Sequence, residues 1–229
     1  MIRFHPADDE LAAFVEGLLD PTHALMVAAH CDLCPHCRSK VDAISDVGSA
    51  LVFEDGDEPE ATGPSLDQML ESIINAAPVS QTRSHTQYPA TIEFQGRAYR
   101  MPESLRRIAR AKRSWSRLIG GLWLAPVMIG GKTLANFIFM EKGGIIPEHT
   151  HIGNEYTLVM HGSFDDGHNT YTSGDYIALN SDSVHTPKAS SAESCLVFTI
   201  IDEPLHFTSK WAKLVNPFSH LYFSVSAKL

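Results

Sequence analysis

Two groups of histidine, cysteine and glutamate residues in this sequence have the side-chain types and spacing of metal ligands. The first lies near the N-terminus, where residues 30–37 read HCDLCPHC. His30 precedes Cys34 by about one helical turn, and Cys34 and Cys37 form a C-x-x-C pair. Two thiolates and one imidazole suit Zn²⁺, which takes four tetrahedral nitrogen or sulfur ligands in structural sites. His5, just before the first predicted helix, could return to this turn and is the best candidate for the fourth ligand.

Other interpretations of this segment stay open at the level of sequence. The C-x-x-C pair could be a redox pair of the thioredoxin type, although no βαβ pattern surrounds it. The cysteines could also be ordinary buried side chains, and Cys31, His23 or His36 could replace one of the chosen ligands. Cys31 is adjacent to His30, however, and should point in another direction if the segment is helical. A zinc site is therefore the preferred interpretation.

The second group lies in residues 143–162, which read GGIIPEHTHIGNEYTLVMHG. His149 and His151 are two residues apart, so on a strand both side chains share one face. Glu155 follows after three further residues and precedes an apolar run. Imidazole and carboxylate groups at this spacing favour a metal site over histidines without a ligand role.

This segment resembles the first metal-binding motif of the cupin family. From Gly143 to Gly162 the sequence matches the pattern G-x5-H-x-H-x3-E-x6-G at every position. The second cupin motif, G-x5-P-x-G-x2-H-x3-N, is matched at Gly174 and at His185, which the resemblance makes the fourth ligand. The remaining motif positions depart from the pattern and hold Asn180, Asp182 and Ala189.

The resemblance implies a divalent metal bound by three imidazoles and one carboxylate, a set that suits Zn²⁺, Mn²⁺, Fe²⁺ or Ni²⁺. Cupin enzymes usually present polar substrate-binding groups inside the barrel. Here the strand positions predicted to face inward include many apolar side chains. They are Phe137, Phe139, Leu158, Leu179 and Phe198.

Short helices are predicted around the first group. Apolar residues recur at helical spacing from Asp8 to Leu19, and further helical stretches cover about 22–30 and 35–51. Such a unit has a small core and commonly needs a metal or a partner to be stable. An amphipathic helix is predicted at 65–76, between linker-like segments at 53–64 and 77–90.

From about residue 91 the pattern changes to short apolar runs separated by turn residues, which is typical of a β-barrel or jelly roll. The runs are Leu122–Leu124, Leu134–Met140, Tyr156–Val159, Tyr176–Leu179 and Cys195–Ile201. The predicted fold class is a multidomain α plus all-β chain. A small zinc-bound helical N-terminal domain with an acidic linker covers residues 1–80, and a C-terminal cupin jelly-roll β-barrel covers residues 91–229.

Charge is distributed unevenly between these parts. Residues 1–80 contain 3 basic and 15 acidic residues, a net charge of −12, whereas residues 81–229 contain 15 and 12, a net charge of +3. The acidic part repels nucleic acid and can attract a basic protein surface. Eight basic residues lie between Arg97 and Arg117, but no aromatic stacking platform accompanies them. A solvated segment is preferred there, and direct nucleic-acid contact is not expected.

The sequence also bears on location. It contains no apolar run of about 18 residues and no signal-peptide core, so a membrane span is not expected and a cytoplasmic location is predicted. Three of the four cysteines lie within residues 31–37. In a reducing compartment such spacing favours metal binding over disulfides.

The N-terminal pattern resembles the zinc-binding anti-sigma domain, in which an early histidine and an H-x-x-x-C-x-x-C segment hold one zinc ion. All four positions are present here, as His5, His30, Cys34 and Cys37. This domain followed by a cupin resembles the ChrR family of anti-sigma factors over nearly the whole chain. The resemblance implies a negative regulator of transcription. It would bind an extracytoplasmic-function sigma factor through the N-terminal domain and release it on an oxidative signal, such as singlet oxygen, sensed with the cupin domain.

On this interpretation the chain is not an enzyme and has no catalytic residue, and the free protein could form a homodimer. An alternative function is a metal-dependent cupin enzyme, for instance a dioxygenase or an acetylacetone-cleaving type, with the N-terminal zinc module as a regulator. A third is a small-molecule-binding module without catalysis.

Overall fold

The computed structural model describes residues 1–54, 65–76, 88–127, 129 and 133–208. Most of the predicted linker segments 53–64 and 77–90 lies outside the described residues, as does the predicted barrel domain beyond residue 208. Within the described residues the N-terminal part is helical, and the part from residue 91 onward consists mainly of strands. None of the described helices is both long and apolar enough to cross a membrane.

The helices begin where the sequence supplies capping groups. The Asp20 carboxylate accepts hydrogen bonds from the backbone N–H groups of Thr22 (3.0 Å) and His23 (3.1 Å), and a proline follows it in the first turn. Ser65 and Gln68 form a reciprocal capping box. The described helices are α1 (Asp8–Val15), α2 (Pro21–Leu33), α3 (Pro35–Glu54), α4 (Leu66–Asn75) and α5 (Glu103–Ala109).

The first three helices pack on one another around a small core, as the apolar spacing predicts. Its buried members are Leu11, Val27, Cys31, Cys34 and Cys37. Helix α3 continues to Glu54, three residues beyond the end that the apolar spacing predicted. Helix α4 differs from the others, since none of its side chains is buried.

The strands are short and pair in antiparallel fashion. Their order in the chain is β1 (Thr91–Phe94), β2 (Arg97–Arg100), β3 (Ser116–Arg117), β4 (Leu122–Val127), β5 (Leu134–Met140), β6 (His149–His151), β7 (Glu155–His161), β8 (Ser163–Asp165), β9 (Thr170–Thr172), β10 (Tyr176–Leu179), β11 (Val184–His185), β12 (Lys188–Ala189), β13 (Cys195–Ile201) and β14 (Leu205–Phe207).

One six-stranded sheet, in the order β10-β7-β13-β5-β4-β3, forms the main wall of the barrel. Two three-stranded sheets, β11-β6-β14 and β12-β8-β9, complete it, and β1 and β2 form a separate hairpin. In the main sheet, Thr199 of β13 lies opposite Asn136 of β5 on one side and opposite Thr157 of β7 on the other. The register therefore places these three side chains in one row across the sheet.

Both faces of the main sheet are covered. The outer face packs against α2, α5 and the β1–β2 hairpin, which contribute Met26, Leu105 and Tyr99 among others to one buried cluster. Four of the side chains predicted to face inward belong to this outer cluster, namely Phe137, Phe139, Leu158 and Phe198. That prediction was wrong for these four because strand alternation turns Asn136 and Ile138 inward instead. Leu179 does line the interior, as predicted.

Candidate metal centres

The N-terminal cluster is built from the ends of two helices and the segment before α1. His30 lies in the last turn of α2, Cys34 joins α2 to α3, Cys37 lies in the first turn of α3, and His5 precedes α1. One ligand atom from each of these four residues lies within 4.8 Å of the others. The four side chains predicted to share a zinc ion are therefore brought together.

The distances within this cluster fit the size of a zinc ion. His5 Nδ1 lies 3.4 Å from His30 Nε2, 3.5 Å from Cys34 Sγ and 3.3 Å from Cys37 Sγ, and His30 Nε2 lies 3.3 Å from Cys37 Sγ. Tetrahedral zinc with ordinary Zn–N and Zn–S bonds places neighbouring ligand atoms about 3.3–3.8 Å apart. The donor set and its spacing both suit Zn²⁺.

The orientation of His30 also suits a ligand. Its Nδ1 atom donates a hydrogen bond to the Gly174 carbonyl oxygen (2.9 Å), which leaves the Nε2 lone pair facing the other three ligand candidates. Burial, together with the neighbouring His5, lowers the pKa of His30 to about 4. The ring is therefore neutral near pH 7, which is the form that binds a metal.

The Cys37 thiol of the metal-free chain is protonated near pH 7. Burial, reinforced by the neighbouring Cys34, raises the pKa of Cys37 to about 12. Since zinc binds thiolates, its uptake at this site must displace protons, and the affinity should fall as the pH falls.

The alternative ligands lie outside the cluster. Cys31 is buried in the small helical core, and burial raises the pKa of its thiol to about 11. His23 Nε2 lies 2.8 Å from Glu10 Oε1, and its ring stacks on Tyr156. His36 contacts His5 edge-on, with ring centroids 5.5 Å apart, and lies outside the group of four.

The barrel cluster is built entirely from strands. His149 and His151 are the first and last residues of β6, Glu155 begins β7, and His185 ends β11, where it pairs with His149. His185 Nε2 lies 2.9 Å from His149 Nε2 and 3.1 Å from His151 Nε2, and His151 Nδ1 lies 3.4 Å from Glu155 Oε2. The structure thus also assembles the second predicted set of four.

Two neighbours orient these ligand candidates. His149 Nδ1 donates a hydrogen bond to the Pro147 carbonyl oxygen (2.9 Å), so its Nε2 lone pair faces the cluster. The Thr157 hydroxyl donates to Glu155 Oε1 (2.8 Å). Outer partners of this kind are typical of protein metal sites.

Burial sets the protonation of the barrel cluster. It lowers the pKa of His151 to about 4 and, with His149 adding to the effect, that of His185 to about 3. Burial raises the pKa of the Glu155 carboxyl. Three neutral imidazoles beside a carboxyl that is hard to ionise would gain from a divalent cation, which compensates the buried carboxylate. The chemistry of this donor set therefore fits a metal ion.

Three consecutive barrel residues contact the helical unit, and sequence reasoning gave none of them this role. Gly174 has a φ of 95° and directs its carbonyl group to His30. Asp175 is fully buried and accepts hydrogen bonds from the backbone N–H groups of Arg3 (2.7 Å) and Phe4 (3.1 Å). The Tyr176 hydroxyl donates to Glu10 Oε1 (3.0 Å). We call residues 174–176 the connecting segment.

A helical unit with a His₂Cys₂ cluster packs on an antiparallel barrel with a His₃Glu cluster, and each cluster has side chains that could hold a metal ion. The model of the ChrR cupin-like domain matches residues 105–203. Over 220 residues the chain is 32% identical to the anti-sigma-E factor ChrR of Cereibacter sphaeroides. The aligned region covers 95% of this chain and 98% of that relative. The chain belongs to the ChrR family of anti-sigma factors.

A solved structure supports the family assignment and the fold. The crystal structure of Rhodobacter sphaeroides SigE in complex with the anti-sigma ChrR is similar to this chain with a TM-score of 0.67 and 27% identity. The match covers 88% of this chain and 100% of the other. The predicted fold class, helices followed by a cupin barrel, is confirmed. So is the prediction of a regulator rather than an enzyme, and the alternative of a metal-dependent cupin enzyme is not favoured.

Proposed function

We propose that this chain binds an extracytoplasmic-function sigma factor in the cytoplasm through residues 1–80 and withholds it from RNA polymerase. It releases the sigma factor on an oxidative signal sensed with the barrel, residues 91–229. Zn²⁺ occupies the N-terminal cluster, and a divalent metal occupies the barrel cluster. The observation that carries the proposal is the convergence of His5, His30, Cys34 and Cys37 at the centre of the acidic helical unit.

The role of zinc in this proposal is to give the helical unit its shape. Two of the five buried members of its core, Cys34 and Cys37, are themselves ligand candidates. A core of this size offsets little of the conformational entropy lost when three helices are ordered. The zinc ion therefore supplies a large share of the folding free energy, and the sigma-binding surface depends on it.

The surface of the N-terminal part favours a protein partner. The net charge of −12 over residues 1–80 can speed association with a basic surface. Helix α4 exposes an apolar side, in which Leu66 is 83% and Ile74 is 70% exposed, together with Met69, Leu70 and Ile73. An amphipathic helix of this kind binds by laying its apolar side into a groove of the partner. We assign α4 to the sigma-binding surface.

The connecting segment supplies a route for the signal. It contacts the chain before α1 through Asp175, α1 through the bond from Tyr176 to Glu10, and α2 through the bond from His30 to Gly174. A change in the barrel that moves this segment alters the surroundings of two zinc ligands. Release on an oxidative signal can then follow from altered packing between the helical unit and the barrel.

The direct test is a pull-down of an extracytoplasmic-function sigma factor from the source organism with the purified full chain. We expect a stable complex and inhibition of transcription by RNA polymerase holoenzyme carrying that sigma factor. His30→Ala or Cys34→Ala should abolish both. The matched control is Cys31→Ala, which removes a buried thiol of the same segment but no ligand candidate. Normal sigma binding by a zinc-free His30→Ala chain would falsify the proposed role of the zinc.

A second test addresses α4 and leaves the zinc cluster intact. Ile73→Asp places a charge on the exposed apolar side of the helix, and we expect a large loss of sigma affinity with unchanged zinc content. Glu71→Ala on the same helix is the control. If both variants bind as the unmodified chain does, α4 is not part of the interface.

Size-exclusion chromatography of the sigma-free chain tests the predicted homodimer, and a titration with duplex DNA tests the predicted absence of nucleic-acid binding.

A further inference from the structure

The barrel contains a cavity of about 320 Å³. Ligand pockets in proteins begin at about this size. An engineered apolar cavity of about 150 Å³ binds benzene, so this one has room for a molecule of roughly twice that size. Strands of the main sheet line the cavity, together with Phe164 and Tyr171 of the β12-β8-β9 sheet and Phe207 of the β11-β6-β14 sheet. The cavity therefore lies between the sheets, in the barrel interior.

The cavity exists because the main sheet turns its aromatic side chains outward. Within the described strands of that sheet, no Phe, Tyr or Trp side chain lines the cavity. Phe137 and Phe198 pack into the outer cluster instead, and the inward positions hold shorter side chains such as Thr157, Val197 and Thr199. Small barrels either fill their interior with side chains or hold one small ligand. The second case applies here, because the side chains of this barrel do not fill its interior.

The polar groups in the cavity wall bond mostly to one another. The Thr157 hydroxyl donates a hydrogen bond to Glu155 (2.8 Å), and the Tyr171 hydroxyl donates one to Asp166 (3.0 Å). The Asp166 carboxylate also accepts hydrogen bonds from two backbone N–H groups of its own turn. The amide oxygen of Asn136 is buried within the wall and does not face the cavity. A ligand therefore meets few free hydrogen-bonding groups.

Charge restricts the ligand further. Within the described part of the chain, no Lys or Arg side chain lines the cavity, so no basic side chain can pair with an anion there. The aliphatic part of the wall includes Leu124, Ile138 and Val197. A buried water molecule needs about two to four polar partners, and these side chains provide none. An apolar ligand can displace water from this surface without losing hydrogen bonds.

The cavity reaches the surface at the turn between β3 and β4. Leu118, in this turn, lines the cavity and is 46% exposed. Its neighbour Ile119 is 65% exposed. An apolar molecule that approaches the barrel here meets an apolar rim before it enters the cavity.

We propose that the barrel interior binds an uncharged, apolar molecule of about ten carbon atoms, such as a small aromatic or terpene-type hydrocarbon. Its affinity comes from the apolar surface that the ligand and the wall remove from water, and not from hydrogen bonds or ion pairs. This site goes beyond the function proposed above, and binding of the ligand requires no sigma factor.

The test uses the full chain loaded with zinc and three aromatic probes: naphthalene, benzene and 1-naphthoate. Naphthalene binding is followed by its own fluorescence, and the other two probes are measured by competition with it. We expect saturable binding of naphthalene. Benzene should bind about tenfold more weakly, because it buries less apolar surface. 1-Naphthoate should also bind about tenfold more weakly, because its carboxylate has to be taken out of water. The proposal is overturned if naphthalene does not bind or if 1-naphthoate binds as tightly as naphthalene.

Substitutions in the wall then locate the bound probe. Val197→Phe fills part of the cavity and should reduce the affinity for naphthalene about tenfold. Val47→Phe is the matched control, because Val47 is 63% exposed on α3, and it should leave the affinity unchanged. Ile138→Ala enlarges the cavity and should shift the preference from naphthalene towards the larger anthracene, which keeps the test valid if Val197→Phe does not fold. Unchanged naphthalene binding by a folded Val197→Phe chain, or an unchanged preference in Ile138→Ala, would overturn the cavity as the binding site.

Discussion

The two metal clusters differ in what holds their ligands in place. In the N-terminal cluster, two ligand candidates are also core residues of a small helical unit, and two others, His5 and His30, are positioned with help from the barrel. In the barrel cluster, all four ligand candidates are buried and lie on strands of the barrel itself. On the function proposed above, we expect the first site to depend on its metal and on the neighbouring barrel, and the second to be preformed by its own fold. We therefore expect loss of metal to unfold the helical unit at the first site but to leave the barrel folded at the second.

The largest effect should follow from removing a ligand of the N-terminal cluster. Cys37→Ala should leave α1 to α3 largely unfolded while the barrel stays folded, because structural zinc supplies about 10 kcal/mol or more to small domains. Hydrogen exchange followed by mass spectrometry on the full chain measures both parts at once. Cys195→Ala, a buried thiol in the barrel, is the control. Retained amide protection in α2 of the Cys37→Ala chain would contradict the comparison.

A smaller but clear effect should follow from breaking the connection between the domains. Asp175→Ala removes a fully buried acceptor of hydrogen bonds from Arg3, Phe4 and Thr172, and should lower the free energy of unfolding of the helical unit by roughly 3 kcal/mol. Urea unfolding monitored through the release of zinc measures this free energy. Asp165→Ala is the matched control, because that exposed carboxylate bonds only within its own turn. If both variants behave alike, the helical unit does not depend on the barrel.

Removal of the barrel metal should cost less and leave the fold intact. For a metal present at a hundredfold excess over its dissociation constant, the lost stabilisation is about 2.7 kcal/mol. We expect His185→Ala to lose one metal ion per chain, to lower the midpoint of thermal unfolding by a few degrees, and to keep the barrel strands protected from exchange. His168→Ala, an exposed histidine of the same domain, is the control. Global unfolding of the barrel in His185→Ala would show that its site is not preformed.

The smallest effect concerns Glu10, which lies between the two domains. Burial alone would raise the pKa of Glu10, but hydrogen bonds from His23, the Ala7 backbone and Tyr176 outweigh it and hold the pKa below 4.5. The ionised form is thus stabilised in the folded chain. This contribution is complete above the unfolded-state pKa and is lost as the pH falls through the lower folded-state pKa.

Glu10→Gln should therefore destabilise the chain by about 1 kcal/mol near pH 7, and the difference from the unmodified chain should close as the pH falls below 4.5. Thermal unfolding of both chains from pH 7 to pH 3.5 measures the difference. Both chains carry the same zinc ligands, so acid release of zinc affects them alike. A difference that stays constant over this range would show that the carboxylate is not held by these bonds.

Features encoded by local spacing could be predicted from the sequence. Helical periodicity indicated α1 to α4, the strand runs indicated β5, β10 and β13, and the short motifs indicated the ligands from His30 to Cys37 and from His149 to Glu155. His5 and His185 lie far from their partners in the chain. His5 was the best available candidate for the fourth ligand, strengthened by resemblance, whereas His185 came from the resemblance to the second cupin motif.

Features that depend on packing between distant segments could not be predicted. The prediction of which β5 side chains face the barrel interior was wrong because both faces of the strand are buried. Hydrophobicity therefore does not distinguish Phe137 from Ile138. Nothing in the local sequence shows that the Asn136 side chain faces the barrel interior, among mainly apolar neighbours. The roles of Asp175 and Tyr176 arise only when the N-terminal segment folds back across more than 160 residues of chain.

The connecting segment also has a consequence for the order in which the protein is made. Roughly 140 residues separate Cys37 from Gly174. At a synthesis rate of about 5–20 residues per second, the last of the four ligand candidates leaves the ribosome roughly 7–28 s before the connecting segment, which contacts His30. During this interval the growing chain has all four N-terminal zinc ligands but none of its bonds to the barrel. On the function proposed above, the nascent helical unit can therefore take up zinc and bind its sigma factor before the barrel exists.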